Sequence, residues 1–352
     1  MWSVRLDQNL YVSPFKVALF GAGRIGHVHA RNIVDHPSTA LTYVVDPVED
    51  RAVELAAGAR AECVGEEIAL GDAAIDAIVV ASLTSTHAAL IENGLEAGKA
   101  VFCEKPLDLD IGRVRDVLAT IDRAAPPVFL AFNRRFDPAV AEVQRRAASG
   151  AVGAIELVTV TSKDPAGGLP VDYLRVSGGM FRDMTVHDFD MARFLLGEEP
   201  VTVTATAAAL VDPLIAEIGD IDTACVTMQC ASGAIAVITN SRRASFGYDQ
   251  RVEVHGSTGT LRTENVATNT FVHERASGVE RATPKHFFTD RYAESYVAEW
   301  WHFVDVLEGR ADPSPTALDG YRAALLAEAA YISLRDGRCV TVAEAEAEVA
   351  RS

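Results

Sequence analysis

Residues 16–26 read KVALFGAGRIG, a short apolar strand that runs straight into a glycine loop. In Gly21-x-Gly23-x-x-Gly26 the first glycine permits a tight turn, and the second lets the backbone approach a pyrophosphate. The third lets the following helix pack close to the strand. Arg24 and Ile25 complete the loop, and amides at the helix start hold an anion. Asp46 stands twenty residues beyond Gly26, at the tip of a second apolar stretch, residues 41–46. That is the spacing of a carboxylate that accepts from both hydroxyls of a ribose. Asp46-Pro47 also reads as a plain turn, but strand, loop, helix and acid occur here together. An acid in that place repels the extra phosphate of NADP, so the cofactor expected is NAD.

Outward from the loop the same style continues. Residues 75–82, 100–103 and 128–132 are further apolar strands, and residues 86–97 and 111–124 have helical patterns. Continuous apolar strands separated by helices imply a parallel sheet covered on both faces. Asp137-Pro138, a cap residue before proline, opens a helix that ends near Gly150. Beyond it the period changes. Residues 201–207 read VTVTATA, and residues 223–230 and 234–240 alternate in the same way around a turn at Ser232-Gly233. The fold expected is an α/β Rossmann domain followed by an α+β domain with a large, mostly antiparallel open sheet. The boundaries are an arm over residues 1–14, the NAD-binding domain over 15–136 and the second domain over 137–352. Near 293–307, Tyr296, Trp300, Phe303 and Leu307 recur at helical spacing, which marks core material.

Composition narrows the classes. The chain has 352 residues, 49% of them hydrophobic, and a net charge of −17, so it is globular and repels nucleic acid and anionic membranes. No apolar run is long enough to span a bilayer, and the first residues lack a signal-peptide pattern. Five scattered cysteines without a CxxC pair suit a reducing, cytoplasmic compartment. His27 and His29 would diverge on a helix, so no metal site is expected.

Chemistry-bearing residues fall in two places. Lys105 follows the fifth strand, at the end where open parallel sheets bind ligands, and its ammonium can stabilise a reacting oxygen while contacting the nicotinamide ribose. His187 can accept a hydroxyl proton near neutrality. On one continuous helix Asp183 and Asp190 share its face, Asp183 orienting the ring and Asp190 binding a substrate hydroxyl or assisting. Asp183 would raise the pKa of His187 and burial would lower it. Asp188 is turned away and reads as structural. Thr84 and His87 border the cofactor crevice, and Ser85 or Thr86 is equally placed to cap the next helix.

Glu104-Lys105-Pro106 and GGMFRDMTVHD, residues 178–188, together with the glycine loop, resemble the glucose-fructose oxidoreductase/inositol dehydrogenase (Gfo/Idh/MocA) family. FRDMTVHDFDMARFLLGEEP and SRRASFGYDQRVEVHGS resemble its inositol 2-dehydrogenase branch. The resemblance implies a cis Lys105-Pro106 bond, Glu104 at the cofactor, and Asn133, Arg135 and Tyr248 at the substrate. It also implies a homotetramer built through the second sheet. The activity implied is NAD-dependent oxidation of myo-inositol to the 2-keto sugar. Another inositol isomer or a pyranose is the alternative substrate. An NAD-assisted glycoside hydrolase and a dinucleotide-sensing regulator are readings of other classes. The segment around Gly167-Gly168 departs from the pattern and leaves the polyol open.

Overall fold

The structure is a computed structural model and describes residues 13–165 and 170–351. Most of the arm expected over residues 1–14 lies outside the described residues, as do Gly167 and Gly168. In the first part β1 (Phe15–Phe20), α1 (Arg24–Asp35), β2 (Thr39–Val45), α2 (Glu49–Ala59), β3 (Glu62–Cys63) and α3 (Glu66–Gly71) alternate. They continue as β4 (Ala77–Val80), α4 (Thr84–Glu96), β5 (Ala100–Glu104), α5 (Ile111–Ile121) and β6 (Val128–Ala131). The strands form one parallel sheet in the order β3-β2-β1-β4-β5-β6. Strand order reverses between β1 and β4, so the loops at their carboxyl ends part and leave a crevice.

A 3-10 turn (Asn133–Phe136) leads into α6 (Pro138–Ala148), where Asp137 caps the helix by accepting from the amides of Ala139 and Val140. Then follow β7 (Ile155–Pro165), α7 (Val171–Val176), α8 (Met180–Asp183), α9 (Val186–Leu196), β8 (Pro200–Ala208) and α10 (Pro213–Glu217). The chain continues through β9 (Thr223–Cys230), β10 (Ile235–Ala244), β11 (Asp249–Gly256), β12 (Gly259–Arg262), β13 (Val272–Arg275) and β14 (Gly278–Arg281). It ends in α11 (Phe288–Arg291), α12 (Ala293–Leu307), α13 (Ala317–Asp336), β15 (Val340–Thr341) and α14 (Val342–Val349). The second sheet has the order β12-β11-β7-β10-β9-β8-β15, antiparallel except for the β7–β10 pair. Alternation sets its faces: along β9, Ala224, Val226, Met228 and Cys230 point into the core, while Cys225 is exposed. Helices α9 and α13 cover the inward face. No helix among the described residues is long and apolar enough to cross a membrane.

The two sheets do not own separate cores. One face of the first sheet, with Ile78, Val101 and Leu130, merges with the core beneath α9 and α13. The other face, with Phe102 and Phe129, is closed by α1, α2 and, from far downstream, α12. Trp300 and Phe303 are fully buried there, 5.7 and 5.4 Å from the Phe102 ring. The aromatic stripe is core as its spacing implies, but it is core of the first sheet. A boundary at 136/137 therefore follows chain order and not packing.

Candidate active site

Each glycine of the loop meets a different steric demand. Gly21 has φ +108°, and a Cβ there would lie 2.4 Å from the carbonyl oxygen of Ala81. A Cβ at Gly26 would lie 2.0 Å from the Gly21 oxygen. Gly23 faces open space with nothing within 4 Å, the room a pyrophosphate backbone needs. Asp46 accepts from the amides of Ala22 (2.7 Å) and Val48 (2.8 Å), one on each oxygen. A carboxylate has about four lone-pair sites, so it can still accept from a ribose. The cradle fits NAD: the loop would hold the pyrophosphate and Asp46 the adenosine ribose. Arg24 lies over the Phe287 ring, and half-buried Ile25 packs against the cluster of Tyr248, Tyr292 and Tyr296. Thr84 is the first residue of α4, half-buried. His87, expected to touch the cofactor, is instead buried with Nδ1 2.8 Å from the carbonyl of Pro106 and Nε2 3.3 Å from that of Ser82. It ties together two of the loops that line the crevice.

Lys105 follows β5 directly and precedes a cis bond to Pro106. Its Nζ donates to the backbone carbonyl of Asp183 at 3.0 Å. An ammonium has three donors, so two remain for a ligand. The Asp183 carboxylate is held by other groups: Tyr173 Oη donates to it at 2.8 Å and Arg242 Nη2 at 3.4 Å. His187 is half-buried in the first turn of α9, edge-on to Phe132. Its Nδ1 is buried and unbonded among the described residues, which leaves Nε2 as the nitrogen open to the crevice.

The single helical face expected for Asp183, His187 and Asp190 does not exist. α8 ends at Asp183, and Met184 and Thr185 intervene before α9. Asp183 makes no hydrogen bond to the His187 ring. Burial, and then the charges of Lys105 and Arg134, push the His187 pKa well below its ordinary value, so burial wins the contest left open above.

Asp190 and Arg135, both expected at the substrate, hold each other. Arg135 donates to Asp190 from Nε at 2.8 Å and from Nη2 at 2.5 Å, with Arg193 and Asp319 completing a buried network. Both oxygens of the buried Asp190 and the Nε and Nη2 groups of Arg135 are taken up by this network. The adjacent pair faces Tyr248 instead: Arg134 donates to Asp188 at 2.7 Å and to the buried Tyr248 Oη at 3.4 Å. Asn240 holds the other Asp188 oxygen at 2.7 Å, so Asp188 is structural as read. Asn133 is buried with its amide nitrogen unpartnered among the described residues. Burial raises Asp164 to about 6 against the pull of Arg242 and Arg134. Sequence reasoning reaches Arg134 only as part of the Asn133-Arg134-Arg135 segment, which resembles the family's loop near substrate and nicotinamide, and does not reach Asp164 or Tyr173, nor does it assign Arg242 a role. Arg242 at least lies in SRRASFGYDQ, the segment that led to Tyr248. Among the described residues no cluster of His, Cys, Asp and Glu could hold a metal ion.

Known proteins resemble this chain over most of its length. An oxidoreductase family model with an NAD-binding Rossmann fold matches residues 15–132, and the GFO/IDH/MocA C-terminal domain model matches residues 140–262. An inositol 2-dehydrogenase of Rhizobium meliloti is 46% identical over 93% of this chain and 99% of its own. A myo-inositol 2-dehydrogenase of Thermotoga maritima is 40% identical over 94% and 99%. A scyllo-inositol dehydrogenase of Lactobacillus casei, solved with bound NAD(H) and scyllo-inositol, superposes with TM-score 0.88 at 29% identity, covering 94% of this chain and 100% of that one.

Proposed function

Because the chain belongs to the GFO/IDH/MocA family of NAD-binding oxidoreductases, we propose that it oxidises myo-inositol to 2-keto-myo-inositol (scyllo-inosose). The observation that carries the reading is the approach of Lys105, from the cofactor sheet, to the α8–α9 segment that bears His187. The names of two relatives support the polyol, inositol for that of Rhizobium meliloti and myo-inositol for that of Thermotoga maritima. Bound NAD supplies the hydride acceptor. His187, whose depressed pKa keeps the ring neutral at pH ~7, takes the hydroxyl proton on Nε2 in its Nδ1–H tautomer. Lys105 donates to the same oxygen with a proton not engaged by Asp183, favouring alkoxide character. Asp183 fixes Lys105 through its carbonyl, and Tyr173 and Arg242 fix Asp183. Tyr248, with Arg134 behind it, and Asn133 are the substrate contacts that remain.

A second reading, oxidation of scyllo-inositol, draws on the Lactobacillus casei neighbour. The test is NADH formation across a panel of inositol isomers and pyranoses, run with NAD and with NADP. Highest kcat/KM on myo-inositol with NAD is the expected result, and a preference for another isomer would replace the substrate. Absence of any net NADH would point to a different chemistry on the same fold. We also propose a cytoplasmic homotetramer joined through the outer face of the second sheet, where Thr204, Thr206, Cys225, Thr227 and Gln229 are exposed. Light scattering with a charge placed at Thr227 tests the assembly.

A further inference from the structure

Behind the cofactor crevice the half-buried Glu104 of β5 neighbours two buried ionisable side chains, His29 on α1 and Glu299 on α12, and the chemistry above assigns none of them a proton-transfer role. His29 on α1 is fully buried with Nε2 2.8 Å from Oε1 of Glu104, at the end of β5. Its ring is held edge-on by Phe102 and Tyr296, with centroids 5.0 and 6.0 Å away, so it cannot swing to another partner. Its Nδ1 is buried and makes no hydrogen bond among the described residues. Glu299 on α12, nearly one turn beyond Tyr296, is 0% exposed, and neither carboxyl oxygen has a partner among the described residues. The Glu104 side chain keeps 13% exposure where β5 opens on the crevice. The titratable groups around this space are His29 from α1, Glu104 from β5 and Tyr296 from α12, with Tyr248 and Arg134 beyond Tyr296.

Hydrogen-bond accounting leaves few states. An ionised Glu299 without a donor would be an isolated charge in apolar surroundings, the costliest arrangement available to it. Burial and the Glu104 charge both push its carboxyl well above the usual carboxylate range. A neutral Glu299 carries one O–H donor. A neutral imidazole that donates from Nε2 to Glu104 has a bare lone pair on Nδ1. The one thing each lacks is what the other supplies.

We propose that Glu299 is a positioning residue for Glu104: as a neutral acid it donates through one bridging water to Nδ1 of His29, and so fixes the ring as the Nε2–H donor that holds the Glu104 carboxylate at the NAD crevice. The inference rests on NAD occupying that crevice and is independent of which polyol is oxidised. Nitrogen NMR of histidine-labelled, cofactor-free protein, with His29→Gln for assignment, reads the tautomer directly. The expected spectrum at neutral pH shows His29 unprotonated on Nδ1 and protonated on Nε2. Glu299→Gln keeps an N–H donor, so it retains this tautomer and binds NAD within about twofold of wild type by calorimetry. Glu299→Leu removes the donor, and NAD binding weakens roughly three- to tenfold, the loss of about one hydrogen bond. A doubly protonated His29 in the wild type, equal losses in the Gln and Leu variants, or unchanged NAD binding in a folded Leu variant would each overturn the proposal. The wild-type spectrum decides even if the Leu variant does not fold.

Discussion

Burial sets the working state of His187, helped by the charges of Lys105 and Arg134, and all three lower its pKa. The base proposed above must be neutral to take a proton, so kcat/KM for oxidation should stay level through pH ~6.5 and fall only well below it. Lys105→Ala should lower kcat roughly 100- to 1,000-fold, about 2.7–4 kcal/mol, as expected when one preorganised donor is removed. Removing that cation also takes away one of the depressing charges. The acidic limb of the residual activity should therefore move up toward pH ~6.5. A pH–rate profile on both proteins checks this, and a limb that stays put would separate Lys105 from the base. His187→Asn should leave NAD affinity intact and abolish the limb altogether. At Asp46 the prediction is selectivity: Asp46→Ser should narrow the preference for NAD over NADP, measured as a ratio of kcat/KM. Thermal stability should drop at the same time, because the carboxylate also pins the amides of Ala22 and Val48.

Among the elements, α13 ties the buried arginine network to its own N-terminus. Asp319 closes a capping box with Thr316 and reaches Arg135 and Arg193. Burial opposes its ionisation, but Arg135, the Thr316 amide and Arg193 outweigh it and bring the pKa down to about 2. A depressed carboxylate stabilises the fold above its unfolded pKa and stops doing so as pH falls through the folded one. Asp319 should thus contribute about 2 kcal/mol at neutral pH, lost between pH ~4 and ~2. Asp319→Asn should remove that contribution and flatten the acid side of the stability curve, read by urea titration. The sequence makes some elements plain and hides others. The loop at 21–26 and the cap at Asp137-Pro138 are legible because local sterics and local hydrogen bonds dictate them. α13 is not, since Ala and Leu bury it on most sides and leave no polar stripe to read. The break between α8 and α9 is hidden too, as no Gly or Pro marks it. Thr185 is held there by a hydroxyl bond to Asn240, 55 residues downstream. That tertiary contact is why spacing misplaces Asp183, whereas Asp190 does share α9 with His187 and is engaged instead by Arg135, 55 residues upstream.

Across the whole molecule, α12 makes the two sheets interdependent. A fragment of residues 13–136 should fail to melt cooperatively and should bind hydrophobic dyes, because Phe102 and Phe129 lose their cover. The full chain should unfold in one calorimetric transition, and an independently folding fragment would refute the shared core. Composition and strand style do convey two sheets of different kinds. They cannot convey that a helix encoded after the second sheet closes the first. On the ribosome this arrangement imposes a schedule. All six strands of the first sheet have emerged once residue 131 is clear, yet Trp300 and Phe303 follow about 170 residues later, roughly 9–35 s at bacterial-to-eukaryotic elongation rates of about 5–20 residues per second. Through that interval the Phe102–Phe129 surface faces water, so the growing chain, and not the finished enzyme, is the form most in need of a chaperone.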